Sequence, residues 1–232
     1  MPAVPPAQIA RLHVESLYRL GRAGRITEIR EPYPPPPPRF FLFRGSGQII
    51  SLVSQELTST LADQLFALAA TEAPEASVAP AHVTDYRALL NAHRPIEREY
   101  SGPSLYLPAA SDTPDGAVAI DSGNRDLLLP HFPEEARDFE ARRPIYAIVE
   151  DGVAVALCFS ARYFGPATPA GVFTTEPYRG RGYAGRLVGA WAAEVARLGS
   201  IPLYGTTWDN AASRAIAARL GARTLGADFW IR

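Results

Sequence analysis

Seven consecutive residues, Arg179-Gly180-Arg181-Gly182-Tyr183-Ala184-Gly185, concentrate the chemistry that this sequence displays. They stand where an apolar run, Val172 to Thr175, gives way to helical spacing at Leu187, Val188, Trp191, Val195 and Leu198. Glycines there let the backbone approach a ligand closely. The first N–H groups of a helix have no partner within it, and the helix dipole adds partial positive charge, so such a junction is an anion cradle. It suits a pyrophosphate, and Arg179 and Arg181 can add charge-assisted hydrogen bonds to phosphate oxygens.

Two cofactor classes compete for the cradle. Gly180-x-Gly182-x-x-Gly185 satisfies the dinucleotide fingerprint. That fingerprint opens a sheet of about six strands, yet only 47 residues follow Gly185, and positions 205 to 207 read Gly-Thr-Thr where an acidic residue is needed. The second reading is a resemblance. Arg179-x-x-Gly182-x-Ala184 is the [Q/R]-x-x-G-x-[G/A] signature of the Gcn5-related N-acetyltransferase (GNAT) superfamily. Asn210-Ala211-Ala212-Ser213, followed by Leu220-Gly221, resembles that family's last helix, with Ala222 in place of an aromatic residue. The resemblance covers about residues 142 to 232.

The resemblance implies an α/β fold with a mixed central sheet, and acetyl-CoA as acyl donor to an amine, which is a small molecule or a peptide. It implies that Val172, Phe173 and Thr174 pair through their backbone with the pantetheine arm. Arg179, Gly180, Arg181, Gly182, Tyr183, Ala184 and Gly185 would take the pyrophosphate, and Asn210 would assist near the thiol. Strands ending near Thr175 and Thr207 would splay to admit the thioester. The reaction needs a neutral amine, a polarised carbonyl and a proton for the departing thiolate. Many relatives donate that proton from a tyrosine seven residues after the asparagine, where this chain has Ala217. Substitutes are Glu176 as base, against a loop role, and Tyr204 as proton donor, against packing. Asp209 reads as a cap, His131 as a loop residue or an acceptor contact, and Trp191 and Trp208 as core and pocket wall. Ala217 also motivates a rival, a non-catalytic acyl-CoA-binding module.

The elements that must position these residues follow from period and turn chemistry. Ile145 to Val149 and Val153 to Ser160 flank Asp151-Gly152, a hairpin signal. After the glycine-rich helix, Ile201 to Thr207 read as a strand, Asn210 starts a helix with Ile216 and Leu220 inward, and Asp228 to Ile231 close a β-β-β-α-β-α-β order. Upstream, a helix spans 8 to 20, and strands lie at Phe40 to Phe43 and Gln48 to Val53. Leu57, Leu61, Leu65 and Leu68 mark one helix, and Val83, Tyr86, Leu89 and Leu90 another. Pro34 to Pro38 is a polyproline connector. Between 100 and 144 only Leu105 to Leu107, Ala117 to Ile120 and a helix at Pro133 to Ala141 stand out.

Residues 1–80 are expected to be an N-terminal accessory extension, covering the acceptor pocket or descending from a second copy of the fold, and 81–232 the acyltransferase-like domain. In a chain of 232 residues, 47% hydrophobic and 20% charged, no apolar run approaches the roughly 20 residues of a membrane span. No secretory signal precedes residue 10, so the cytoplasm is expected. A net charge of -1 offers no bulk attraction to nucleic acid or membrane. All 23 basic residues are arginines, a bias of the whole chain. Four scattered histidines and one cysteine, Cys158, support no metal site, and Cys158 reads as buried filler. The sequence is compatible with a monomer or a homodimer.

Overall fold

The computed structural model describes residues 4–108, 116–162 and 165–232. In chain order the elements are α1 (Pro6–Leu17), β1 (Tyr18–Leu20), β2 (Ile26–Ile29), β3 (Phe40–Gly45), β4 (Gln48–Val53), α2 (Ser59–Ala69), α3 (Val83–His93) and β5 (Glu99–Tyr106). They continue with β6 (Val118–Ile120), α4 (Pro133–Arg137), α5 (Phe139–Arg142), β7 (Ile145–Glu150), β8 (Val153–Ser160) and β9 (Ala167–Thr174). The last are α6 (Tyr183–Arg197), β10 (Ile201–Gly205), α7 (Ala211–Arg219) and β11 (Arg223–Ile231). Contacts divide the chain into two compact units. Unit 1 holds the chain up to Leu105 with Gly205–Ala211 and Thr224–Arg232, and unit 2 holds Tyr106–Tyr204 with Ala212–Arg223. This partition reflects compactness. The functional division at residue 80 is a separate matter and stays a proposal.

In unit 1 the strands run β4-β3-β11-β5. β3 is antiparallel to both neighbours, with Phe40 opposite Val53 on one side and Ile231 on the other. Alternate residues Phe40, Leu42, Phe229 and Ile231 share a core with Leu65 of α2 and Tyr86 and Leu90 of α3, as a period of two requires. Thr58 caps α2 by accepting from the Leu61 N–H. Arg39, fully buried, donates to the carbonyls of Leu90 and Arg94 at 2.7 and 2.9 Å. The Leu90 carbonyl also accepts from the Arg94 N–H at 3.0 Å, whereas the Arg94 carbonyl lies past the last helical residue, where no further turn of α3 supplies a donor. The proline run at 34–38 is neither helix nor strand.

In unit 2 the order is β10-β9-β8-β7-β6. β9 and β10 are parallel and the other pairs antiparallel, so the sheet is mixed. Asp151 and Gly152 take φ of 50 and 78°, the two left-handed residues of the tightest hairpin turn. One sheet face carries α6, whose Leu187, Val188, Trp191 and Val195 are buried, and the Trp191 indole donates to Ser160 Oγ at 3.3 Å. The other carries Leu128, Phe132 and Phe139 packed with Ile145, Leu157 and Phe159. Pro169 has no N–H to give β8. The facing carbonyl of Ala161 instead accepts from the guanidinium groups of Arg142 and Arg162, each at 3.3 Å.

Several expected elements are corrected. The helix read at 8–20 ends at Leu17, because Tyr18 turns extended (φ -131°, ψ 148°) and Tyr18–Leu20 pair as β1. The strand read at 105–107 is the end of the longer β5, and the helix read at 133–141 breaks at Asp138 (φ -92°, ψ 17°) into α4 and α5. β10 ends at Gly205, short of Thr207. In α7 the buried side chain is Ala217, with Ile216 and Leu220 half-buried, because a small residue lets a short helix approach its support. Among the described residues no helix is long and apolar enough to cross a membrane.

Candidate functional site

β9 feeds the cradle through a single turn of 3-10 helix at Glu176–Tyr178. The Thr175 N–H and hydroxyl both donate to the Val155 carbonyl, each at 3.0 Å, fixing where the chain leaves the sheet. Arg179 Nε then donates to the Thr174 carbonyl, and Arg181 Nη2 to the Pro177 carbonyl, both at 3.3 Å. The Arg181 guanidinium lies 4.8 Å from the centre of the Tyr178 ring. Both arginines therefore brace the loop. A guanidinium has five N–H donors, so each keeps capacity for an anion. Gly180 and Gly182 take φ of 77 and 76°, a left-handed conformation that costs other residues about 1–2 kcal/mol.

α6 begins at Tyr183 with left-handed Gly182 as its N-cap and no side-chain cap. Its first N–H groups, among them those of Tyr183, Ala184 and Gly185, have no acceptor in the helix. Gly180 to Gly182 are exposed, so this end of the helix faces solvent. The Tyr183 hydroxyl is bonded to Glu150 and its ring lies 4.9 Å below the Arg186 guanidinium. Glu176 is exposed at the foot of the loop.

A second feature lies beside the cradle. The parallel pairing of β10 with β9 runs Ile201↔Ala167, Pro202↔Thr168, Leu203↔Pro169, and stops. β9 continues to Thr174, paired on its far side with β8. The Pro169 carbonyl accepts from Ala161 N and the Thr175 N–H donates to the Val155 carbonyl, so odd-numbered residues of β9 turn their main-chain groups toward β8. By alternation, those of Ala170, Val172 and Thr174 point to the β10 side, beyond the last pair. The result is a strand edge that opens next to a helix N-terminus.

Residues 152–231 match a family model described as FR47-like protein. That match takes in the strand-loop-helix junction and everything after it as far as Ile231. Among solved structures, a GNAT-family protein from Novosphingobium aromaticivorans is 21% identical, with 59% of this chain and 65% of that one covered, at a TM-score of 0.51. A GCN5-related N-acetyltransferase-like protein from Streptococcus suis is 16% identical over 84% of this chain and 85% of its own, with a TM-score of 0.52. A GCN5-related N-acetyltransferase from Kribbella flavida is 14% identical, with 100% and 96% covered and a TM-score of 0.49. At these identities the first two likenesses establish the GNAT fold, a mixed α/β architecture. No curated protein sequence matches the chain.

Within the GNAT-like fold, unit 2 brings together Val172, Phe173, Thr174, Glu176, the residues from Arg179 to Gly185, and Tyr204. Phe173 is half exposed, and its ring lies 5.6 Å from that of Phe159, on the sheet face opposite α6. Asn210 precedes α7 on the 205–211 segment that belongs to unit 1, and its N–H donates to the Thr207 carbonyl at 3.3 Å. Trp208 lies in that segment too and donates to Ser101 Oγ at 3.1 Å. His131 is an exposed loop residue. Cys158 is fully buried, and burial pushes its thiol well above the ordinary value.

Tyr204 is buried and its hydroxyl shares a 2.6 Å hydrogen bond with Ser213 of α7. Burial raises its pKa. Ser213 was not singled out as a functional residue from the sequence. Nothing local signals it, because its partner lies on a strand before the helix.

Proposed function

We propose that the GNAT-like fold binds acetyl-CoA and transfers its acetyl group to the amine of a small molecule or peptide. The observation that carries this reading is the open edge of β9 running into the uncapped N-terminus of α6. Main-chain groups of Val172 and the N–H of Thr174 suit the amide-bearing pantetheine arm, and the N–H groups from Gly180 to Gly185 suit the pyrophosphate. Arg179 and Arg181 add charge to the same anion.

The chemistry is a direct displacement. The amine nitrogen attacks the thioester carbonyl, the C–S bond breaks with its electron pair on sulfur, nitrogen loses a proton and sulfur gains one. Donors placed where charge develops accelerate such a step. Titration calorimetry with acetyl-CoA tests the binding half, and thiol release tests the other, using a polyamine, an aminoglycoside and peptides with a free N-terminus or a lysine. Saturable binding and amine-dependent thiol release are expected. Absence of binding by folded protein rejects the reading.

One observation favours a second reading. Ala217, buried, stands where many relatives place a proton-donating tyrosine, which suits a module that binds acyl-CoA without consuming it. Bound cofactor that no amine discharges would support that alternative.

A further inference from the structure

β4 ends the strand order of unit 1, and its main chain is satisfied on one side only. Gly45↔Gln48 closes the two-residue turn Ser46-Gly47, and the Ser54 N–H donates to the Arg39 carbonyl at 2.9 Å. Even-numbered residues of β4 therefore turn their N–H and C=O groups toward β3, and odd-numbered ones turn theirs away. The far end of that outward side is taken. Ile26 of β2 bridges to Ser54 in parallel, and its carbonyl accepts from the Gln55 N–H at 3.0 Å. At the near end Gln48 spends its side chain on α1, donating to the Ala7 carbonyl at 2.7 Å and accepting from Arg11 Nε at 3.3 Å. Between these limits Ile49 and Ser51 present outward main-chain groups with no hydrogen-bond partner among the described residues. The devices that keep a free edge from pairing are missing. Residues 48–53 read Gln-Ile-Ile-Ser-Leu-Val, without charge or proline, their register with β3 runs without a bulge, and residues 49–52 are partly exposed. The outer strand of unit 2, β6, is by contrast three residues long, and shortness is itself a protection.

We propose that the open edge of β4 pairs with the same edge of a second copy of this chain, antiparallel about a two-fold axis. Only one antiparallel register serves both outward residues at once. It sets Ile49 opposite Ser51 of the second copy and Ser51 opposite Ile49 of the second copy, with the axis through Ile50. In that register Ile50 meets its own counterpart at the closer, non-hydrogen-bonded spacing, an apolar cross-strand pair. A strand that faces itself sets like charges near one another, and this one carries none. The arrangement closes after two copies, since each contributes its one open edge. It does not depend on the reading of the acyl-donor site.

Size-exclusion chromatography with light scattering on the full chain at micromolar concentration is expected to give twice the 25.1 kDa of one chain. Ser51→Pro removes an outward N–H and no bond to β3, a setting in which a strand accepts proline. Its mass is expected to halve while its melting temperature holds. Ile50→Cys puts two thiols face to face on the axis, within disulfide reach, and Cys158 is fully buried. Oxidation should therefore yield a covalent dimer, whereas Ile49→Cys, which faces Ser51, should yield none. A native mass of 25.1 kDa overturns the proposal, as does a folded Ser51→Pro variant that remains a dimer. Should Ser51→Pro fail to fold, the two cysteine variants decide: cross-linking of Ile50→Cys in preference to Ile49→Cys supports the edge, and equal or absent cross-linking overturns it.

Discussion

Gly182 and Gly185 sit three residues apart in the cradle and should answer oppositely to the same substitution. Around Gly182 a Cβ would meet nothing within 4 Å, so alanine there reports backbone strain alone. Gly182→Ala is expected to cost about 1–2 kcal/mol of stability. It should also weaken acetyl-CoA binding about tenfold, as the N–H groups lose their aim. Gly185 lies inside α6, and a Cβ there would touch only Ile216 Cγ2 at 4.0 Å. Gly185→Ala should therefore stabilise the unliganded protein by about 0.5–1 kcal/mol through helix propensity. Urea titration and calorimetry on the two variants separate these effects.

At the scale of elements, α6 is the support that holds the cradle at the end of β9. Trp191 is fully buried and ties α6 to β8 through Ser160. Trp191→Ala should cost about 3–5 kcal/mol, read as a lower urea midpoint, and should loosen donor binding without touching the loop. The hairpin of β7 and β8 was legible to the turn residue, since Asp151-Gly152 dictates its own geometry. The strand-loop-helix junction was legible for the same reason. β5 was not, because Gly102 and Pro103 read as strand breakers. The fold uses Gly102 for a close pass, a Cβ there falling 1.9 Å from the Thr206 carbonyl. The stop in β9–β10 pairing after Pro169 and Leu203 and the Tyr204–Ser213 bond were hidden too. Both join positions far apart in the chain, and no local period encodes them. Ile216 and Leu220 were read as inward by hydropathy, whereas close packing selected Ala217.

At the scale of the whole molecule, burial holds five acidic hydrogens in place among the described residues. Tyr86, Tyr100, Tyr146 and Tyr204 all have pKa values raised above the ordinary 10.0, and Cys158 above its ordinary 9.0, with desolvation as the leading cause in each. The unfolded chain releases these protons at lower pH than the folded one, so ionisation favours unfolding once pH passes the unfolded values. Their contribution is fully present below about pH 9 and is lost as pH rises toward the folded values. Thermal melts between pH 7 and pH 11 should show a plateau that breaks downward above about pH 9 to 10. A midpoint still rising there would contradict the burial of these groups.

The antiparallel register that sets Phe40 beside Ile231 bears on how the protein is made. β3 waits for a companion written about 190 residues later, and closing so long a loop is slow. While a ribosome is still reading the intervening codons, β4, α2 and α3 can already meet the Phe40-to-Phe43 stretch, but its other strand edge stays unpaired. Nascent chains are at their stickiest in that interval, and a chaperone that shields this segment until β11 emerges would do more for yield than any improvement to the finished fold.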